Sequence, residues 1–153
     1  MNITVLIITF VAMEFVAWLM HRFVMHGFLW VLHKDHHQVE PGFLERNDFF
    51  FLIFAIPGFL FTLFGALNEY NTLFYVGLGI TLYGLAYFLV HDVFIHQRLP
   101  ILKRSNNFYL RAIRKAHKVH HKHLHKEEGE CFGMLLVPLK YFAQETNKAS
   151  NKQ

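Results

Sequence analysis

The sequence predicts an all-α integral membrane protein, with three to four transmembrane helices carrying a histidine-rich helical cap at one end. Composition is the first ground: 54% of the 153 residues are apolar and 18 are phenylalanine. A mean hydropathy of +0.25 is high for a chain that also holds 12 histidines. The second ground is three stretches, residues 3–20, 49–67 and 72–90, near the roughly 20 mostly apolar residues that a spanning helix needs. The third is a pattern that occurs twice. His21-x4-His26 precedes His33-x2-His36-His37, and His91-x4-His96 precedes His117-x2-His120-His121.

A chain of this length is normally one domain, here residues 1–145 with a polar tail at 146–153. Span 3–20 is broken only by Glu14. No basic region precedes it and it runs on into histidines, so it does not resemble a cleavable signal peptide. Spans 49–67 and 72–90 are joined by Asn68-Glu69-Tyr70-Asn71, a link short enough to force an antiparallel hairpin. Pro57-Gly58 should kink the second span, which membrane helices tolerate where neighbours satisfy the freed carbonyl. The exit of span one, the entry of span two and the exit of span three must share one side. Both histidine regions, 21–37 and 91–121, therefore meet there. All 15 Lys and Arg lie on that side if nothing later crosses. The positive-inside tendency makes it cytoplasmic, with the N-terminus outside. The apolar stretch 132–143 holds Pro138 and Lys140 and reads as re-entrant or interfacial; an upright crossing would make it a fourth helix. The tail 146–153 is expected to be mobile.

On a helix, His33, His36 and His37 project from roughly one face, as do His117, His120 and His121. Such a triplet can offer ligands to two adjacent metals. Residues five apart are rotated by about 140° on an ideal helix. The H-x4-H pairs can thus share a centre only if the helix unwinds or bulges between them, or if each ligates from a different side. Gly27 and Pro100 favour helix termination nearby. A lone histidine at a membrane surface is ordinarily an interfacial side chain, but two repeated sets of five read as metal ligands. The cap is therefore expected to hold a dimetal site. His123 and His125 fall outside the repeat and read as solvent-facing or accessory.

With Cys131 as the single cysteine, an internal disulfide and a cysteine-rich metal site are both excluded. Structural zinc wants four closed ligands and would not need ten imidazoles. Two borderline transition metals, iron above all, suit the set, and zinc can replace iron in a purified sample. Ligand imidazoles need outer carboxylates or carbonyls to fix their tautomer; Asp35, Asp48 and Asp92 are placed to serve. Glu14 sits seven residues before His21, close to the same helical face. An ionisable residue at that depth is a functional candidate by default. It either hydrogen-bonds a ligand histidine, the favoured role, or stays protonated in a helix contact.

At these residues the sequence resembles the bacterial β-carotene 3-hydroxylases, within the fatty acid hydroxylase and sterol desaturase superfamily. The resemblance runs through Met13-Glu14, HRFVMHG at 21–27, HKDHH at 33–37, Asn47-Asp48, Tyr83-Gly84, Tyr87-Phe88, HDVFIHQR at 91–98, AHKVHH at 116–121 and EGECFGM at 128–134. The family often reads EGCVSFGF in the last of these, and residues 118–130 here carry extra His and Lys. The resemblance implies an O2-dependent monooxygenase in the bacterial inner membrane. The ten boxed histidines would hold two irons, O2 would be the co-substrate, and neither haem nor flavin is expected. Its substrate would be β-carotene, hydroxylated at ring carbon 3 through β-cryptoxanthin to zeaxanthin. Electrons would come from a ferredoxin-type donor.

Residues around Phe49, Phe50, Phe51, Tyr83, Tyr87 and Phe88 could wall the route of such a substrate. The nine Lys and Arg between 98 and 126 attract anionic lipids and would dock an acidic ferredoxin. Nucleic acid fits poorly against a membrane, and the sequence leaves the oligomeric state open. A fatty-acyl or sterol hydroxylase, a desaturase or a carotenoid ketolase would use the same boxes. A non-enzymatic metal-handling membrane protein is the remote alternative.

Overall fold

The computed structural model describes residues 2–38, 42, 44–101, 105–127 and 129–150, with side chains through residue 146. Lys103 and Arg104 of the basic tract, Glu128 of the EGECFGM segment and residues 151–153 of the tail lie outside the described residues. Among those described, every element is helical: α1 (Ile3–Leu19), α2 (Trp30–His37), α3 (Phe49–Leu67), α4 (Thr72–Phe88), α5 (Phe108–His120) and α6 (Leu139–Ser150). α1 widens without a break into a π-helical segment, Met20–Phe28, and α4 into another, Leu89–Ile95. A 3-10 turn at Arg46–Asp48 precedes α3.

With their extensions, three helices are long and apolar enough to cross a membrane: Ile3–Phe28, Arg46–Leu67 and Thr72–Ile95. Their outward surface is apolar, with Ile7, Val11, Phe15, Phe51, Phe59, Phe64 and Leu85 all exposed. Lipid-like solvent gives helices no hydrophobic reason to associate, so close backbone approach through small residues takes over. α4 does this on two sides. A Cβ at Gly77 would collide with the backbone of Thr62 on α3, and one at Gly79 would meet Leu6 O and Thr9 of α1 at 2.9 and 2.8 Å. α3 carries Pro57 without interruption. The expected hairpin link forms a turn in which Glu69 and Tyr70 take positive φ values of 56° and 54°. Asn71 then caps α4, its Oδ1 accepting from Leu73 N at 3.0 Å.

The C-terminal third differs from the sequence reading. The apolar stretch 132–143 is not one element: residues up to Pro138 are irregular and α6 starts at Leu139. α6 also takes in part of the segment read as a mobile tail. It is amphipathic and lies along α5, where the Glu145 carboxylate, 6% exposed, pairs with Arg111 at 3.0 Å. A polar helix with one buried face is harder to see than an apolar run, because its pattern is weak until its partner is known.

Candidate metal centre

Ordinary helix geometry separates the two H-x4-H pairs, and the structure closes them with wide turns. Leu29 N donates to Val24 O at 3.0 Å, and His96 N donates to His91 O at 2.8 Å. These i→i+5 bonds define a π turn, a form frequent at functional sites. The extra residue per turn brings the His91 and His96 rings to 4.5 Å between centroids, and His21 and His26 to 5.2 Å. Gly27 then leaves helical geometry, at φ −109° and ψ −121°, and redirects the chain into α2.

All ten imidazoles come together. His21, His26, His33, His37 and His120 place one ring nitrogen each within 4.8 Å of one another, and so do His36, His91, His96 and His117. His121 lies beside the second set, its ring 4.5 Å from His117 and 4.7 Å from His36. It also stacks on His37 of the first set at 4.5 Å. Eight of the ten are buried; His96 and His121 are partly so.

The two nitrogens of each ring face different ways. Seven Nδ1 atoms donate outward. Those of His21, His26, His37 and His120 reach the backbone oxygens of Phe132, Lys126, His123 and Glu130, at 3.0, 3.2, 2.8 and 2.8 Å. His33 donates to Asn47 Oδ1 at 2.6 Å, His36 to Glu45 Oε2 at 2.8 Å and His91 to Asp92 Oδ2 at 3.2 Å. Their Nε2 atoms are left unprotonated and point inward. Nε2 of His21 faces that of His33 at 3.2 Å, His26 faces His120 at 3.3 Å, and His36 faces His91 at 3.0 Å. Two lone pairs cannot bond each other, and Nε2 of His37 and His121 is buried without a partner. A cation must reconcile these groups.

Protons are poor candidates for it. Burial, reinforced by neighbouring imidazoles, pushes His36 and His117 well below the ordinary range. Burial likewise lowers His37 to about 4, His120 to about 3, and His33 and His96 to about 2. Ten neutral nitrogen donors in two sets fit two borderline divalent ions. No thiolate joins them, since Cys131 Sγ lies against Tyr141 Oη at 3.3 Å.

The four acids named from sequence take different places. Asp92 meets a ligand imidazole, His91. Asp48 pairs with Arg98 at 2.7 Å. Asp35, 4% exposed, accepts from Arg46 N at 2.6 Å and braces α2 against the turn before α3. Glu14 makes no hydrogen bond to a histidine. Its Oε2 accepts from Tyr83 Oη at 2.7 Å, while Oε1 accepts the consecutive N–H groups of Met134, Leu135 and Leu136, each at 2.9 Å. It pins to α1 the segment whose carbonyls orient His21 and His120.

Sequence reasoning missed Glu45, whose carboxylate carries His36. The signal was available, since Glu45 lies between two boxes and beside Asn47-Asp48. It also missed Arg98 as an organiser: its guanidinium pairs with Glu45 at 3.0 Å, Asp48 at 2.7 Å and Asp92 at 3.3 Å. His123 serves through its backbone oxygen, and the rings of His123 and His125 belong to neither set.

The arrangement has relatives. The chain is 36% identical over 137 residues to a β-carotene hydroxylase of Pantoea ananas, a match covering 90% of this chain and 78% of that one. It is 37% identical over 134 residues to a β-carotene hydroxylase of Pseudescherichia vulneris, covering 88% and 76%. With a chloroplastic β-carotene 3-hydroxylase of Arabidopsis thaliana it shares 39% over 131 residues, covering 84% of this chain and 43% of the plant protein. No solved structure matches it. The sequence model for fatty acid hydroxylases matches residues 6–142, a range that takes in every boxed histidine and all three long helices. The chain belongs to the fatty acid hydroxylase family.

Proposed function

We propose that the protein is an O2-dependent diiron monooxygenase that hydroxylates the β-ionone rings of β-carotene at ring carbon 3, giving β-cryptoxanthin and then zeaxanthin. One observation carries the metal reading: two sets of inward-facing Nε2 atoms whose Nδ1 partners are already committed. The substrate rests on the relatives, which are β-carotene hydroxylases over most of this chain.

His21, His26, His33, His37 and His120 would hold one iron, and His36, His91, His96 and His117, with His121 beside them, the other. Bound there, two irons supply activation of O2 and its delivery into a C–H bond. One oxygen atom enters the ring and the other leaves as water, with two electrons and two protons supplied through a ferredoxin-type donor. The protein's own part is orientation and the exclusion of water. Phe132 closes the first set from one side, its ring 5.1 Å from His26 and 5.4 Å from His21 and His120. Trp30 covers His26 and His37 at 5.2 and 5.3 Å, and Tyr87 lies 4.9 Å from His91 on the membrane side of the second set.

A C40 hydrocarbon is confined to the bilayer, so its ring approaches from between the helices. Of the six aromatics named for that route, Phe50 and Tyr83 are buried and Tyr87 partly so. Phe49, Phe51 and Phe88 face outward. The basic residues all follow the first span on the histidine side, which supports a cytoplasmic-membrane orientation with the N-terminus outside.

The test is expression in a bacterium that accumulates β-carotene, with ferredoxin supplied and pigments analysed by chromatography and mass spectrometry. Mono- and dihydroxylated products are expected. A keto product would move the protein to the ketolase branch. Unchanged β-carotene, with the protein present in the membrane, would overturn the substrate and leave the fatty-acyl or sterol reading.

A further inference from the structure

The two histidine sets are supported by different chemistry. In the first, four Nδ1 atoms donate to backbone oxygens and the fifth, that of His33, to the neutral Asn47 amide. No carboxylate holds an imidazole of that set. In the second, His36 and His91 donate to the carboxylates of Glu45 and Asp92. Arg98 gathers both, together with Asp48. Three carboxylates against one guanidinium leave two negative charges in excess beside the second set. All four side chains are partly sheltered, Arg98 being 17% exposed and Asp92 16%, so this charge is incompletely screened.

We propose that the two metal positions are inequivalent, and that Glu45 and Asp92, held in place by Arg98, make the position of His36, His91, His96 and His117 the tighter one for a divalent cation. This rests on the dimetal reading above. An imidazole hydrogen-bonded to a carboxylate is a more basic ligand than one bonded to an amide or carbonyl, and a dication gains from nearby excess negative charge. The first set binds through five neutral nitrogens without that support. Glu45, Asp92 and Arg98 are positioning residues: they act through the imidazoles.

The experiment uses the full-length, metal-free protein in detergent, titrated with Zn2+ in competition with a chromogenic chelator. Two ions per chain are expected, binding in two resolved steps. Glu45→Gln and Asp92→Asn keep size and shape. Each is expected to weaken the tighter step by about 10–100-fold, the usual cost of losing an outer-shell partner, and to leave the weaker step unmoved. Asn47→Ala should do the converse. In a His96→Ala background, where the first set alone stays complete, Glu45→Gln should leave that set's affinity unchanged while Asn47→Ala lowers it. A general loss of structure would lower both steps together. Equal shifts of both steps, a shift of the weaker step alone in Glu45→Gln and Asp92→Asn, or no shift would overturn the inequivalence. Fewer than two ions bound by the unsubstituted chain would instead overturn the dimetal reading.

Discussion

Each imidazole in this centre divides its work between two nitrogens, so a side chain can be important through one atom and irrelevant through the rest. His120 and His123 make the contrast. His120 is fully buried, donates from Nδ1 to Glu130 O and turns Nε2 toward the first set. His123, three residues on, contributes its backbone oxygen to His37, which alanine retains. His120→Ala is expected to abolish hydroxylation with the protein still in the membrane. His123→Ala should stay within about twofold of the unsubstituted chain, the range of substitutions away from packed features. Product yield per unit of membrane-inserted protein checks both, and comparable losses would mean that the His123 ring also ligates. The ten histidines were legible in the sequence because the residue is rare and the spacing repeats. Four of their seven acceptors were not, because every residue offers a carbonyl and only the path of residues 123–132 shows which are used. Glu14 was legible as unusual and illegible in role: its partners are backbone N–H groups about 120 positions away.

At the scale of elements, the helical hairpin and the side shared by both boxes follow from span lengths and a four-residue link, which is why they could be read directly. The wide turns were foreshadowed by the mismatch between a five-residue interval and the 3.6-residue period, yet where the backbone would widen is a matter of hydrogen bonds. α4 is the packing hub, and its two close faces depend on glycine. Gly77→Val would push a side chain into Thr62 Oγ1 at 2.6 Å and Gly58 O at 2.8 Å, whereas Gly84 has nothing within 4 Å. Overpacking of this kind costs about 1–3 kcal/mol, while Gly84→Ala should be neutral or slightly stabilising through helix propensity. Thermal unfolding in detergent compares the two; equal behaviour would show that the α3–α4 approach is not tight in solution.

Across the whole molecule, the buried imidazoles tie folding to protons. In the metal-free protein burial holds His37 at about 4, His120 at about 3 and His33 near 2, all below the ordinary value near 6.5. The unfolded chain therefore takes up protons first as pH drops. Stability is complete above about pH 6.5 and is lost as pH falls toward the folded values, several protons steepening the slope. Trp30 lies against His26 and His37, so its fluorescence should report loss of the cap between about pH 6 and 4. Bound metal should shift that loss to lower pH, since protons must then displace it. A metal-free protein unchanged down to pH 4 would contradict the assignment of neutral, buried rings. The wide turns act at this scale as well, by setting rotational phase. Removing one residue between His21 and His26 would restore an ordinary turn with both rings still on one face. Everything beyond would rotate by about 100°, carrying α2 and its three imidazoles out of register. Over these six residues, therefore, inheritance can tolerate exchange of the intervening side chains far more readily than a change in their number.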